Sequence, residues 1–214
     1  VLIGNLTITD TSVFEKAALD FATKNIKFTG TISDDVKFQI GVLILKALMD
    51  SPTTQELLSG KLRDDLGLFG NLVNSTIEAI AKHITDGMEI EAPKKGKKLP
   101  TIKLKFMAQD VNKIIKVPGA SFQSKGGSVD WLEWLLTRGT QIIISDYWIF
   151  SEAEGKTRSG GKKVMQKISK TPRDPFRIDP KHAGTVKDNF VTRALDSIKD
   201  DISTLVMSSM MGTN

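Results

Sequence analysis

Two histidines, no cysteine and three adjacent carboxylate pairs are the residues in this chain whose types could do chemistry. His83 falls in a stretch with helical spacing and His182 in a loop far along the chain. Neither has the neighbouring Cys, His or clustered carboxylates of a metal site, so two ordinary histidines are expected. The pairs Asp34/Asp35, Asp64/Asp65 and Asp200/Asp201 are adjacent in sequence. On a helix such neighbours point about 100° apart, which suits caps and solvated faces better than a shared cation. A Ser/His/Asp triad is a spatial arrangement, yet no G-x-S-x-G elbow or other nucleophile signature accompanies it here. The loop Arg158-Ser159-Gly160-Gly161-Lys162-Lys163 has glycines and cations that suit an anion. It runs into KKVMQKI, which reads as strand, whereas a Walker loop must open a helix. No catalytic constellation, cofactor or metal site is expected, and the chain reads as a protein that works by assembly.

Charge is the second signal. Thirty Lys and Arg against 25 Asp and Glu give a net charge of +5, and the excess is clustered. One block is Lys94, Lys95, Lys97, Lys98, Lys103 and Lys105. The other runs through Lys156, Arg158, Lys162, Lys163, Lys167, Lys170, Arg173, Arg177 and Lys181. Both fall on segments that read as hairpin or loop, so Lys94, Lys95, Lys97, Lys98, Lys156, Arg158, Lys162 and Lys163 are candidates for an interface or a DNA-facing surface. Backbone phosphate contacts ask only for such cations. Asp196, Asp200 and Asp201, near the C-terminus, are candidates for a complementary acidic interface.

These groups need a frame, and 214 residues with 40% hydrophobic content can bury one. The expectation is a single α+β domain over residues 1–214, helical over about 10–87 and sheet-containing over about 88–214. No apolar run approaches the roughly 20 residues that span a bilayer, and the first twelve residues show no export signal. The absence of cysteine fits a reducing cytoplasm and equally a cysteine-free component of an extracellular particle.

In the helical block, Ser12 and Glu15 form a capping box for a helix over 13–23, with Phe14, Ala17, Ala18 and Phe21 on one side. A short strand over 6–9 precedes it. Ser33 caps a second helix that runs to Asp50 and is apolar nearly all round, which implies deep burial. Ser51-Pro52 reads as N-cap and first turn of a third helix that Gly60 stops. Residues 61–68 read as a compact turn, and Leu72, Ile77, Ile80 and Ile84 mark a fourth helix ending near Gly87.

In the second block, residues 88–91 and 102–107 make a basic-tipped β-hairpin. Ser128 caps a helix bearing Trp131, Leu132, Leu135 and Leu136, with Gly139 as its stop. Residues 141–150 and 163–168 pair as antiparallel strands. Thr185 and Asp188 box the start of the longest amphipathic helix, from Val191 to Val206. Trp131, Trp134, Tyr147 and Trp148 read as core in preference to a base-stacking platform. The fold class expected is α+β, an antiparallel β-sheet with flanking helices and a long C-terminal helix.

Four stretches, SPTTQELLSGKLRDDLGL, GSVDWLEWLLTRGTQIIISDYWI, KTRSGGKKVM and FRIDPKHAGTVKDNFVTRAL, lie in order between residues 51 and 195. Together they resemble the neck and tail-completion proteins of tailed bacteriophages. The resemblance implies a non-enzymatic structural virion protein of the head-to-tail interface, a neck, tail-terminator or tail-completion subunit assembled in the host cytoplasm. It implies a homo-oligomeric ring of six or twelve subunits around the DNA channel, touching other neck, portal-adaptor or tail-tube proteins and making non-specific contact with double-stranded DNA. In a connector that attaches to neighbouring subunits, the methionine-rich tail MSSMMGTN is expected to be a flexible docking segment. A basic nucleic-acid-binding protein acting as monomer or dimer is the alternative. A hydrolase or nuclease whose site forms only in space is a third reading.

Overall fold

The computed structural model describes residues 3–5, 34–68, 71–91, 103–105, 111–124, 127–139, 147–149, 165–167 and 178–211. Helix predominates among them, and every described strand pairs antiparallel.

Helix α1, Asp34–Asp50, carries Asp34 and Asp35 in its first turn, where the positive end of the helix dipole favours carboxylates. Ser33, the expected cap, lies outside the described residues. Ile40, Ile44 and Leu48, spaced by four, are fully buried. The opposite face is not: Phe38 is 71% and Val42 50% exposed. Burial of α1 is therefore one-sided, although its apolar residues run nearly all round. Helix α2, Pro52–Ser59, starts as its sequence dictates. The Ser51 hydroxyl accepts the Thr54 N–H at 3.2 Å, and proline occupies the first turn, where its missing N–H costs nothing.

Residues 61–68, expected as a turn, form helix α3, Lys61–Leu66, and its closure. Leu62 and Leu66 are buried one turn apart. Gly67 stands at φ 65°, a left-handed conformation that glycine adopts at no side-chain cost. The Leu68 and Gly67 N–H groups then satisfy the Arg63 and Asp64 carbonyls at 3.0 and 3.2 Å, a Schellman closure. The alternation of apolar and charged residues concealed this short helix. Helix α4, Leu72–Asp86, buries Ile77, Ile80 and Ile84 and packs along α1.

Strand β1, Ile3–Asn5, and strand β2, Glu89–Glu91, flank β3, Lys103–Lys105. The 88–107 hairpin thus pairs as expected where it is described, with Ile90 opposite Leu104. The first strand sits at 3–5, ahead of the expected 6–9, which lie outside the described residues together with the 13–23 helix. A short helix α5, Val111–Ile114, leads into a small ladder of β4, Phe122–Ser124, and β5, Gly127–Val129.

Ser128 belongs to β5 and is not the cap of the next helix. Its hydroxyl donates to the Asp130 carboxylate at 2.7 Å, and Asp130 holds the capping position. Helix α6, Trp131–Thr137, buries Trp131, Leu132, Trp134, Leu135 and Leu136. The Trp131 indole N–H donates to the Gly119 carbonyl at 2.8 Å, so its one polar atom is satisfied inside the core. Strand β6, Tyr147–Ile149, pairs antiparallel with β7, Met165–Lys167.

The C-terminal helix is two helices. Helix α7, Phe190–Ser197, is separated at Ile198 from helix α8, Lys199–Met211. The Ser197 hydroxyl donates back to the Ala194 carbonyl at 2.7 Å, and the Ile198 N–H reaches only to Leu195. Such local bonds compete with the helical ladder. Met211 still lies in α8, so most of the tail expected to be a docking segment is helix; 212–214 lie outside the described residues. The antiparallel character expected of the strands is present, but among the described residues it takes the form of three separate short ladders. Buried side chains from residues 36–88, 111–136 and 178–206 form one continuous apolar cluster.

Candidate functional site

The start of α7 is built from two successive polar motifs. Thr185 and Asp188 close a turn, with the Asp188 N–H donating to the Thr185 hydroxyl at 3.2 Å and the Thr185 N–H donating to the Asp188 carbonyl at 2.7 Å. The capping box lies one step later. The buried Asn189 side-chain oxygen accepts the Val191 and Thr192 N–H groups, both at 3.1 Å. The Thr192 hydroxyl in return accepts the Asn189 N–H at 2.9 Å. The box expected at Thr185 and Asp188 is therefore corrected to Asn189 and Thr192. A threonine supplies the reciprocal group usually given by Glu or Gln.

Gly184 lets this turn dock. A Cβ on it would stand 2.5 Å from the Leu135 carbonyl oxygen and 2.6 Å from Asn189 Cβ, and its own carbonyl accepts the Gly139 N–H at 2.7 Å. The same N–H lies at the expected end of α6. Arg193, on the first turns of α7, reaches back to the Asp188 carboxylate through two nitrogens, at 2.6 and 3.2 Å, and to the Ala183 carbonyl at 3.3 Å. The guanidinium bond holds the Asp188 carboxyl below the usual carboxylate range.

Between the second half of α1, the start of α2 and the α7–α8 pair runs an open groove of about 490 Å³. Its floor is apolar, made by Leu43, Ala47, Phe190, Ala194 and Ile198. Its rim mixes charges, with Lys46, Lys181 and Arg193 set among Asp50 and Asp201. Lys181 stands 4.0 Å from the Glu56 carboxylate.

Of the acidic residues singled out in the sequence, Asp201 lies on this rim, and Asp196 and Asp200 are exposed on either side of the Ile198 break. None of the three forms an ion pair with another described residue. Asp200 and Asp201 occupy the first turn of α8, so the break gives them a helix dipole to interact with. The eight cationic candidates, Lys94, Lys95, Lys97, Lys98, Lys156, Arg158, Lys162 and Lys163, lie outside the described residues. From the same blocks, Lys103 and Lys105 sit in β3 with Glu91 and Glu89 as their register partners.

Among the described residues no three His, Asp or Glu side chains gather to hold a metal, and no helix is long and apolar enough to cross a membrane. His83 lies in α4 with a buried Nε2 that has no partner among the described residues. His182 is 3% exposed, and its Nδ1 lies 3.1 Å from the Thr53 hydroxyl in α2. Sequence spacing missed this contact and the groove. A histidine in PKHAG carries no sign of burial, and residues 129 apart have no periodicity to connect them.

No family model matches the chain, and no curated protein or solved structure matches it either.

Proposed function

We propose that this chain is a structural subunit of the head-to-tail interface of a tailed bacteriophage, forming a homo-oligomeric ring around the DNA channel. The reading begins from the sequence resemblance over residues 51–195. The observation that carries it to a surface is the exposed group Asp196, Asp200 and Asp201, unpaired among the described residues, on a chain with net charge +5. Acidic side chains on one subunit and lysine-rich segments on the next would give a heterologous, head-to-tail contact, the type that closes into rings. Charge complementarity of this kind sets partner choice and register more than raw affinity. The role proposed is non-enzymatic.

The first test is the double charge reversal Asp200→Lys with Asp201→Lys. Assembly is expected to fail while the circular dichroism of the subunit is retained. Assembly that survives the reversal removes the acidic group from the interface. A wild-type monomer that binds duplex DNA tightly at low salt, with affinity falling steeply as salt rises, would instead establish the nucleic-acid-binding alternative.

A further inference from the structure

His182 joins two parts of the fold that are far apart in sequence. Its ring is packed against the first turn of α2, where Thr53, itself buried, meets Nδ1 at 3.1 Å. Its backbone belongs to the tight turn before α7. There the His182 and Ala183 N–H groups donate to the Asp179 carbonyl at 2.8 and 2.9 Å, and the Asp179 carboxylate accepts the Lys181 N–H at 3.0 Å. This turn also brings Lys181 to the groove rim. Thr53 lines the same groove from the α2 side. The contact between His182 and Thr53 is therefore a clasp between two of its walls.

The other ring nitrogen, Nε2, is buried and has no hydrogen-bond partner among the described residues. In the neutral ring this atom can remain a bare acceptor, which is the less costly of the two unsatisfied states. In the imidazolium it must carry a proton and a share of positive charge with no described group to accept it. The charged groups facing the ring do not rescue it. Lys181, from its own turn, and Arg193, from α7, oppose protonation, while Glu56, from α2, and Asp179 favour it. Burial is the largest influence, followed by Lys181, and the balance holds the ring below the ordinary imidazole pKa.

We propose that the His182–Thr53 contact is an acid-released latch, closed while the imidazole is neutral, whose protonation frees the 178–189 turn from α2 and opens the groove between α1 and α7. The sign follows from linkage. A histidine with depressed proton affinity in the closed state stabilises that state above its unfolded pKa of 6.5, and this stabilisation is lost as pH falls from there through the folded value. The fold-loss of closure at full protonation equals the ratio of the ring's proton affinities in the open and closed states.

The test is an NMR titration of both histidine rings in the full chain, paired with amide hydrogen exchange at about pH 7.5 and about pH 5, corrected for intrinsic exchange rates. His182 is expected to titrate below 6.5. The His182 and Ala183 amides are expected to lose protection in acid by the factor that the ring titration gives, while the Ile80 amide in α4 keeps its own. His182→Gln, which cannot take up a proton in this range, is expected to remove the pH dependence at these amides, and His83→Gln to leave it intact. A His182 pKa at or above 6.5 overturns the latch. So does protection at 182 and 183 that is unchanged between the two pH values, or lost equally across α4. If the glutamine variant at 182 does not fold, the wild-type titration and exchange decide alone.

Discussion

The α1–α4 pair and the 178–198 segment both bury hydrocarbon and differ in the polar groups buried with it. Where α1 meets α4, the contact is hydrocarbon: Ile40, Ile44 and Leu48 on one helix and Ile77, Ile80 and Ile84 on the other, all fully buried. Each such side chain contributes on the order of 1.5–3 kcal/mol, with no dependence on pH and little on salt. The segment leading into α7 buries Ile178, Phe190, Val191 and Leu195, but beside them it buries polar groups, His182, Asn189 and Thr192, and surrounds these with the ions Lys181, Asp188 and Arg193. Part of its stability therefore depends on each donor meeting its acceptor. The first region is a frame. The second can respond to conditions, and it borders both the groove and the acidic group.

This contrast can be broken most severely inside the frame. Ile80→Ala is expected to lower unfolding free energy by about 2–5 kcal/mol, through lost burial and the cavity left behind. Urea denaturation should show the same loss at neutral and mildly acidic pH. Gly184→Ala attacks the second region by forcing a methyl against the Leu135 carbonyl and Asn189, at an expected cost of about 1–3 kcal/mol. Exchange of amides in α7 should rise before those in α4.

Asn189→Ala removes the cap acceptor for two N–H groups and is expected to cost about 0.5–2 kcal/mol. The loss should again appear first at the α7 amides. The smallest effect belongs to Asp188→Asn. Its bond to Arg193 is an exposed pair, worth at most about 1 kcal/mol. Because Arg193 depresses the Asp188 pKa, this stabilisation is present above the ordinary value of 3.8 and is lost as pH falls through the folded value. Thermal melts of wild type and variant should differ slightly at neutral pH and converge in acid.

The frame is readable in the sequence because its signals are local and redundant. Ser51-Pro52 announces the start of α2, the spacing of the isoleucines marks α4, and Trp131 with Leu135 marks the buried face of α6. The second region is less legible for identifiable reasons. Asn189 with Thr192 is a capping box lacking the usual Glu or Gln, so Thr185 and Asp188, which form a separate turn, stand out in its place. The break at Ile198 comes from a serine hydroxyl competing for a backbone carbonyl, while the apolar periodicity runs straight through it. The groove arises from packing of α1 on the α7–α8 pair, and the His182–Thr53 contact from the turn before α7 meeting the start of α2, which no linear pattern encodes. The acidic residues are readable as solvated or capping types, and the place of Asp201 on the groove rim becomes visible only with the helices in place.

Light scattering on the purified chain at low and high salt decides whether it assembles through its charged surfaces, as proposed. The mass of a closed ring, six or twelve subunits, is expected at low salt, with dissociation as salt screens the acidic and basic surfaces from one another. A monomer at low salt, at every concentration measured, excludes assembly through these surfaces.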